Sequence, residues 1–349
     1  MTYLKIIAFV IILVIIWRVV DTIRHAGEFK TIKSHFNGRC QKISGVVGAE
    51  DMTIHPQTGV AFISSSDRRA LLRGEQPPGA IYAYDLKSTN PRLQNLTAAF
   101  EQELHPHGIS LFIDENNAAS IFVINHRRDG EYVEIFDARD STLAHRESIR
   151  GELMTSPNDV AAVGPRSFYV TNDHGNVSAL GRTVEEYLQL ARSYLLYYDG
   201  QNFKKVAQDI AYANGVNVSH DGKTVYVAAC VGRKINVYDR DVASGTLNFK
   251  NEIPLGTGVD NIELDAGGNL WAAAHPQLLT FTKHAKDPAK HSPSEILKIS
   301  FGANGDYKIE QIYLNAGEAI SGSSAGAVFE RKLLIGSVFE KHFLACEME

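Results

Sequence analysis

The 349-residue sequence predicts an all-β chain, a six-bladed β-propeller with a few capping helices and an N-terminal hydrophobic anchor helix. Three observations carry this. The apolar runs are short and rich in Val, Ile, Tyr and Phe, residues that suit a pleated, half-buried surface. One pattern recurs six times: a polar cluster, about a dozen residues, then an apolar-aromatic run just after a turn. The copies follow one another at irregular intervals of roughly 45 to 65 residues, the range of four-stranded blades.

Taken in order, the chain opens with a continuous apolar run over residues 6–17, shorter than the roughly 20 residues that span a bilayer. With residues 1–4 and 19–20 counted in, and Lys5 and Arg18 reaching for the interface, the segment is long enough. No small-x-small cleavage site follows. Residues 1–20 therefore read as an uncleaved signal-anchor, transmembrane or lipid-binding, with the rest of the chain in the secretory-pathway lumen or on the extracellular side. The flanking charges leave the orientation open. Residues 21–39 read as a polar connector, and residues 40–349 as the propeller.

The first copy is GAED (48–51) before Val60-Ala61-Phe62, and the second is His107 before Ile121-Phe122-Val123. The third is the fullest. Asn158 and Asp159 lead into apolar Val160 and Ala162, a Gly164-Pro165 turn, the run Phe168-Tyr169-Val170, and a second polar cluster, Asn172-Asp173-His174. Two antiparallel strands joined at that turn bring both clusters to one rim. Asn214 precedes Val225-Tyr226-Val227, Asp260-Asn261 precedes Leu270-Trp271-Ala272, and a weaker sixth copy sets Ser321 to Ser324 before Leu333-Leu334-Ile335. Between copies, residues 64–79 form a polar, proline-containing loop near the mouth, whose Arg68, Arg69 and Arg73 read as solvated. Thr183 to Glu186 reads as a capping box that opens an amphipathic helix.

Composition narrows the partners. A net charge of −5 and the absence of basic runs exclude nucleic acid. Cys40 lies just before the first blade and Cys346 near the end, where a propeller pairs its first and last strands. A Cys40–Cys346 disulfide would staple that closure; the alternative is a pair of reduced thiols in a cytosolic protein. Cys230 reads as a buried, unreactive thiol. Asn95 and Asn176 head glycan-acceptor sequences.

In a six-bladed ring the starts of all innermost strands share one mouth, so Glu50, Asn158, Asn214, Asp260 and Asn261 converge. Side-chain carbonyls mixed with two carboxylates suit a hard cation, and Ca²⁺ takes six to eight such oxygens. Asp51 and Asp159 each follow one of these residues, point the opposite way, and could hold a second, buried ion. His107 opens an innermost strand and His126 ends the strand beside it, with His174 and His275 ending equivalent strands in later blades. A neutral imidazole there can take a proton from water, its ordinary pKa being about 6.5.

These residues carry a resemblance. GAED (48–51), HPHGIS (105–110), VINH (123–126), SPNDV (156–160), TNDH (171–174), ANGVNVSHDGKTVYVA (213–228), VDNIELD (259–265) and LWAAAHP (270–276) are similar to the motifs of the paraoxonase/arylesterase family, in order, from Cys40 almost to the end. The resemblance implies a six-bladed propeller with two calcium ions that hydrolyses lactones, aryl esters and, promiscuously, some organophosphates. It implies Glu50, Asn158, Asn214, Asp260 and Asn261 as ligands of a catalytic calcium. Asp51, Asp159 and the Ile109 backbone carbonyl would then bind a structural one. His107 would act on water with His126 supporting it, Glu50 or Asp260 being the alternative base, and the hydrophobic leader would attach to membrane or lipid. Three departures stand out. His105 occupies a position where animal paraoxonases usually carry Asn, the mouth loop carries three arginines, and the spare thiol is Cys230. Two other readings remain: a gluconolactonase-like sugar lactonase, and a non-catalytic, calcium-stiffened propeller that binds a partner.

Overall fold

The computed structural model describes residues 2–139, 142–302 and 305–349. The described strands form six antiparallel sheets whose innermost strands, in chain order, are Ala49–Ile54, Pro106–Ile113, Pro157–Ala162, Ala213–Val218, Gly258–Leu264 and Ser323–Phe329. Each innermost strand packs beside the next, and Ser323–Phe329 meets Ala49–Ile54 to close the ring. This is the expected six-bladed propeller.

The core explains the apolar runs. It consists of six clusters, and each lies between two consecutive blades. In the run Ile121-Phe122-Val123-Ile124, Ile121 and Val123 pack towards the first blade while Phe122 and Ile124 pack towards the third. Side chains alternate across a strand, and a blade is covered on both faces, so the run is continuously apolar.

The ring is closed by the chain's own start. Gly38–Ser44 is the outermost strand of the last blade, antiparallel to His342–Met348, with Cys40 directly opposite Cys346. A disulfide joins the two.

Two helical expectations change. Residues 21–39 are not a plain connector. The apolar helix Thr2–His25 runs into them, and His35–Phe36 adds a fifth strand to the fifth blade beside Tyr307–Asn315. The helix near the mouth is Ala179–Tyr187, capped by Ser178, whose hydroxyl accepts from Gly181 N. Thr183 lies inside it and donates to the Ala179 carbonyl, so the capping box does not open the helix. Glu185 and Glu186 are used instead by residues 174–176, where Gly175 N and the Asn176 amide donate to Glu185. The amide of the Asn176 glycan-acceptor sequence is thus engaged, whereas Asn95 is exposed.

Candidate metal centre and active site

Each innermost strand breaks register with its neighbour at the same point: between Ala49 and Met52, Pro106 and Ile109, Pro157 and Val160, Ala213 and Val216, Val259 and Ile262, and Ser323 and Gly326. The skipped pairs are Glu50-Asp51, His107-Gly108, Asn158-Asp159, Asn214-Gly215, Asp260-Asn261 and Ser324-Ala325. Such bulges release residues from the ladder and re-aim their side chains. The polar clusters of the sequence are therefore six bulges at one level of the ring. Two of them need glycine for closeness: a Cβ at Gly108 would lie 2.2 Å from Asp159 Oδ1, and one at Gly215 would lie 2.6 Å from the Asp260 carbonyl.

The five expected upper ligands come together. Asn261 Nδ2 donates to Glu50 Oε1 at 3.1 Å, and the Ser324 hydroxyl donates to the Glu50 carbonyl at 2.6 Å. Asp260 Oδ2 lies 2.8 Å from His275 Nε2, and Asn158 Nδ2 donates to Asp173 Oδ2 at 3.4 Å. Glu50, Asn158, Asn214, Asp260 and Asn261 are all buried. Four of the five leave an oxygen enclosed with no hydrogen-bond partner among the described residues: Glu50 Oε2, Asn158 Oδ1, Asn214 Oδ1 and Asn261 Oδ1. Orphaned buried acceptors are costly and call for a ligand. Carboxylate and amide oxygens converging from four blades fit a hard divalent cation.

Below them, Asp51 accepts from Ile109 N at 2.7 Å and from Met52 N at 2.8 Å. Asp159 accepts from Val216 N and Val160 N, each at 2.7 Å. Burial, helped by the charge of Glu50, pushes Asp51 up to about 8, and burial with the charge of Asp51 raises Asp159. Sequence reasoning missed a third acid. Glu263, three residues beyond Asp260, accepts from Asn217 Nδ2 at 3.3 Å and is raised by burial and by Asp51. Its signal was the next ring position, shared with Thr53, Asn217 and Ala327, and Glu263 hydrogen-bonds Thr53. Asp51 repels both Asp159 and Glu263, a strain that a cation among them would relieve.

His107 Nδ1 and His126 Nε2 are 2.8 Å apart, and His126 Nδ1 meets Glu131 Oε2 at 2.5 Å. Glu131 was also missed; it pairs with His126 across the turn before Gly130. In the tautomer in which His126 donates from Nδ1 to Glu131, it accepts at Nε2 from His107 Nδ1–H. His107 Nε2 is then a free lone pair, 3.6 Å from Glu50 Oε1. Burial and the Arg68 charge push His107 down to about 4, so it is neutral near pH 7. Burial opposes the charge on Glu50, but His107 and Arg68 hold it at about 2.

Glu50, His107, Asn158, Asn214 and Asp260 line a cavity of about 280 Å³. Leu278, Phe281 and Phe339 wall it, and Thr22 and His25, at the end of the N-terminal helix, line one side. Cys230, buried as expected, also lines it, and burial pushes its thiol up. The arginines differ from expectation. Only Arg73 is out in solvent, beside Glu75. Asp67 caps the short helix Arg68–Leu72, which turns the loop back over the rim. Arg69 donates to the Phe339 and His284 carbonyls, and Arg68 enters the cavity.

Fold and site together define a class: a closed six-bladed propeller with a buried ring of oxygens and a neutral imidazole facing one cavity. The chain belongs to the arylesterase family, whose model matches residues 28–348. Human serum paraoxonase/arylesterase 1 is 37% identical over 320 residues, covering 88% of each chain. Human serum paraoxonase/lactonase 3 is 36% identical over 309 residues, covering 86% of each. Among solved structures, a luciferin-regenerating enzyme superposes with a TM-score of 0.55 at 13% identity over 89% of this chain and 95% of its own. A calcium-binding regucalcin from Agrobacterium tumefaciens gives 0.54 at 14% identity over 90% and 96%. Those two likenesses concern the fold alone.

Proposed function

We propose that this chain is a calcium-dependent hydrolase of lactones and aryl esters, tethered to membrane or lipid by the helix Thr2–His25. The observation that carries the reading is the set of four orphaned oxygens beside the free Nε2 of a neutral His107. Glu50, Asn158, Asn214, Asp260 and Asn261 would hold the catalytic ion. Asp51, Asp159 and the Ile109 carbonyl, with Glu263 close by, would hold a structural one. When bound, the upper ion supplies Lewis acidity to the ester carbonyl and charge for the developing oxyanion.

The chain's own groups do the rest. His107 takes a proton from the attacking water at Nε2, and the charge it gains is shared through His126 with Glu131. The same nitrogen returns the proton to the leaving alkoxide. Leu278, Phe281 and Phe339 keep bulk water out and suit an apolar acyl or aryl group better than a sugar. The disulfide fits an oxidising compartment on the secretory or extracellular side.

The test is a panel of phenyl acetate and δ-lactones run with calcium and with EGTA, on the native protein and on Glu50→Gln. Hydrolysis should require calcium, and Glu50→Gln should lose more than about tenfold in both calcium affinity and kcat/KM. Turnover indifferent to EGTA would sink the reading. Tight calcium binding with no hydrolysis of any ester would leave a binding propeller in its place.

A further inference from the structure

Resting on that reading of the site, we propose that the pocket selects esters or lactones carrying a carboxylate within a few bonds of the scissile carbonyl, and that Arg68 recognises it.

Arg68 reaches into the cavity with its side chain 16% exposed. Its Nε and Nη2 are enclosed and have no hydrogen-bond partner among the described residues. A guanidinium has only donors and does not give up its proton, so these N–H groups need an acceptor. The contrast with Arg69 is sharp. That neighbour spends its nitrogens on the Phe339, Ala285 and His284 carbonyls and stacks on the Phe339 ring.

The carboxylate recorded near Arg68 is Glu50, whose Oε2 lies 3.9 Å from Nη2. That is an ion-pair separation, too long for a hydrogen bond. Glu50 is also a member of the oxygen ring, so a bound divalent cation takes its charge. His107, beside it, is an imidazole and offers no anion whether or not it is protonated. Charge then decides the ligand. Glu50 and Asp260 balance a divalent ion, which leaves the guanidinium as one uncompensated positive charge. A buried charge without a partner is costly, and one carboxylate matches both the charge and the planar fork. Arg68 Nη2 is 3.9 Å from Glu50 Oε2, an oxygen of the ring, so the anionic substituent sits close to the reacting carbonyl. The carbon chain between them lies against Leu278 and Phe281.

The experiment uses the full chain in detergent micelles with calcium and measures calorimetric binding of glutarate and of butyrate. Glutarate can place one carboxylate at the ion and the other on Arg68, whereas butyrate has only the first. The native protein should bind glutarate at least about tenfold tighter than butyrate, and Arg68→Gln should close that gap. Arg68→Lys, which keeps the charge and loses the fork, should fall between them. In the kinetic arm, a γ-lactone bearing a carboxylate is compared with its unsubstituted parent. The ratio of their kcat/KM values should fall about tenfold or more in Arg68→Gln, chiefly through KM. Calcium titration of each variant confirms that the oxygen ring is intact. Equal affinity for glutarate and butyrate in the native protein, or an undiminished gap in Arg68→Gln, overturns the proposal. If neither lactone is hydrolysed, the hydrolase reading fails, and the two binding constants still decide the role of Arg68.

Discussion

His174 stands between two carboxylates: its Nδ1 is 2.6 Å from Asp173 Oδ1 and its Nε2 is 2.9 Å from Glu186 Oε1. Burial works against a charge there, yet Asp173 and Glu186 outweigh it and push the imidazole up to about 9. The protonated ring ties the helix Ala179–Tyr187 to Asp173, and Asp173 in turn accepts from Asn158 Nδ2, which leaves Asn158 Oδ1 for the oxygen ring. A histidine whose folded pKa is raised contributes stability that is complete below its unfolded pKa of about 6.5 and is lost as pH rises through about 9. His174→Gln should therefore destabilise most near pH 6, by on the order of 3 kcal/mol at most, with Tm lowered accordingly, and the margin should shrink between pH 7 and pH 10. Thermal melts of both proteins across that range check it; a margin independent of pH would show that the imidazolium does not hold the helix. The ring ligands were legible because Glu50, Asn158 and Asp260 stand where an apolar strand has no use for polar groups. Glu131, Glu263 and Arg68 were not. Their roles depend on register across a turn, on a contact with another blade and on the fold of a surface loop, none of which local composition records.

The helix Leu278–Lys286 begins at Gln277, whose side chain makes no capping bond among the described residues. A helix N-terminus leaves four N–H groups without partners, and here the cap comes from a distant part of the chain. Glu28 accepts from Leu279 N at 2.9 Å, from Thr280 N at 3.1 Å and from the Thr280 hydroxyl at 2.8 Å. Its negative charge also suits that end of the helix dipole. The same contact docks the end of the N-terminal helix at the mouth, where Leu278 N donates to the Ala26 carbonyl and Arg233 to the His25 carbonyl. Glu28→Ala should cost about 1 kcal/mol in urea unfolding and speed protease cleavage within residues 26–34, with Glu28→Gln intermediate. An unchanged cleavage rate would mean that the backbone contacts alone hold the junction. The sequence showed the apolar helix but not its docking, because Glu28 carries no local sign of its partner. The misplaced start at Thr183 has the same origin. Both Ser178 and Thr183 are acceptable caps, and the contacts of Glu185 and Glu186 with residues 174–176 select the earlier one.

At the scale of the whole molecule the ring was the most legible feature, since six repeats of one bulge put the same chemistry at the same level, and agreement among copies outweighs noise in any one. The weak sixth copy shows why: Ser324 holds the Glu50 carbonyl rather than joining the donor set, so its blade serves closure more than chemistry. Closure also rests on the pairing of Gly38–Ser44 with His342–Met348, and the Cys40–Cys346 bond spans 306 residues across that seam. In the chain-entropy description a crosslink over so long a loop contributes on the order of 5 kcal/mol, and removal of a native disulfide commonly costs about 2–5 kcal/mol. Cys40→Ala/Cys346→Ala should therefore lower Tm markedly, and the loss should begin at the seam. Hydrogen exchange should quicken first in residues 38–44 and 342–348, while the innermost strand Ala49–Ile54, held by Ser324 and Asn261 through Glu50, stays protected. Calcium affinity well below the melting range should stay near that of the native protein, because the oxygen ring is built from the inner strands and does not include the outer seam. If the double variant melts where the native protein does, strand pairing alone closes the ring; if it loses calcium at low temperature, the oxygen ring depends on the outer closure after all.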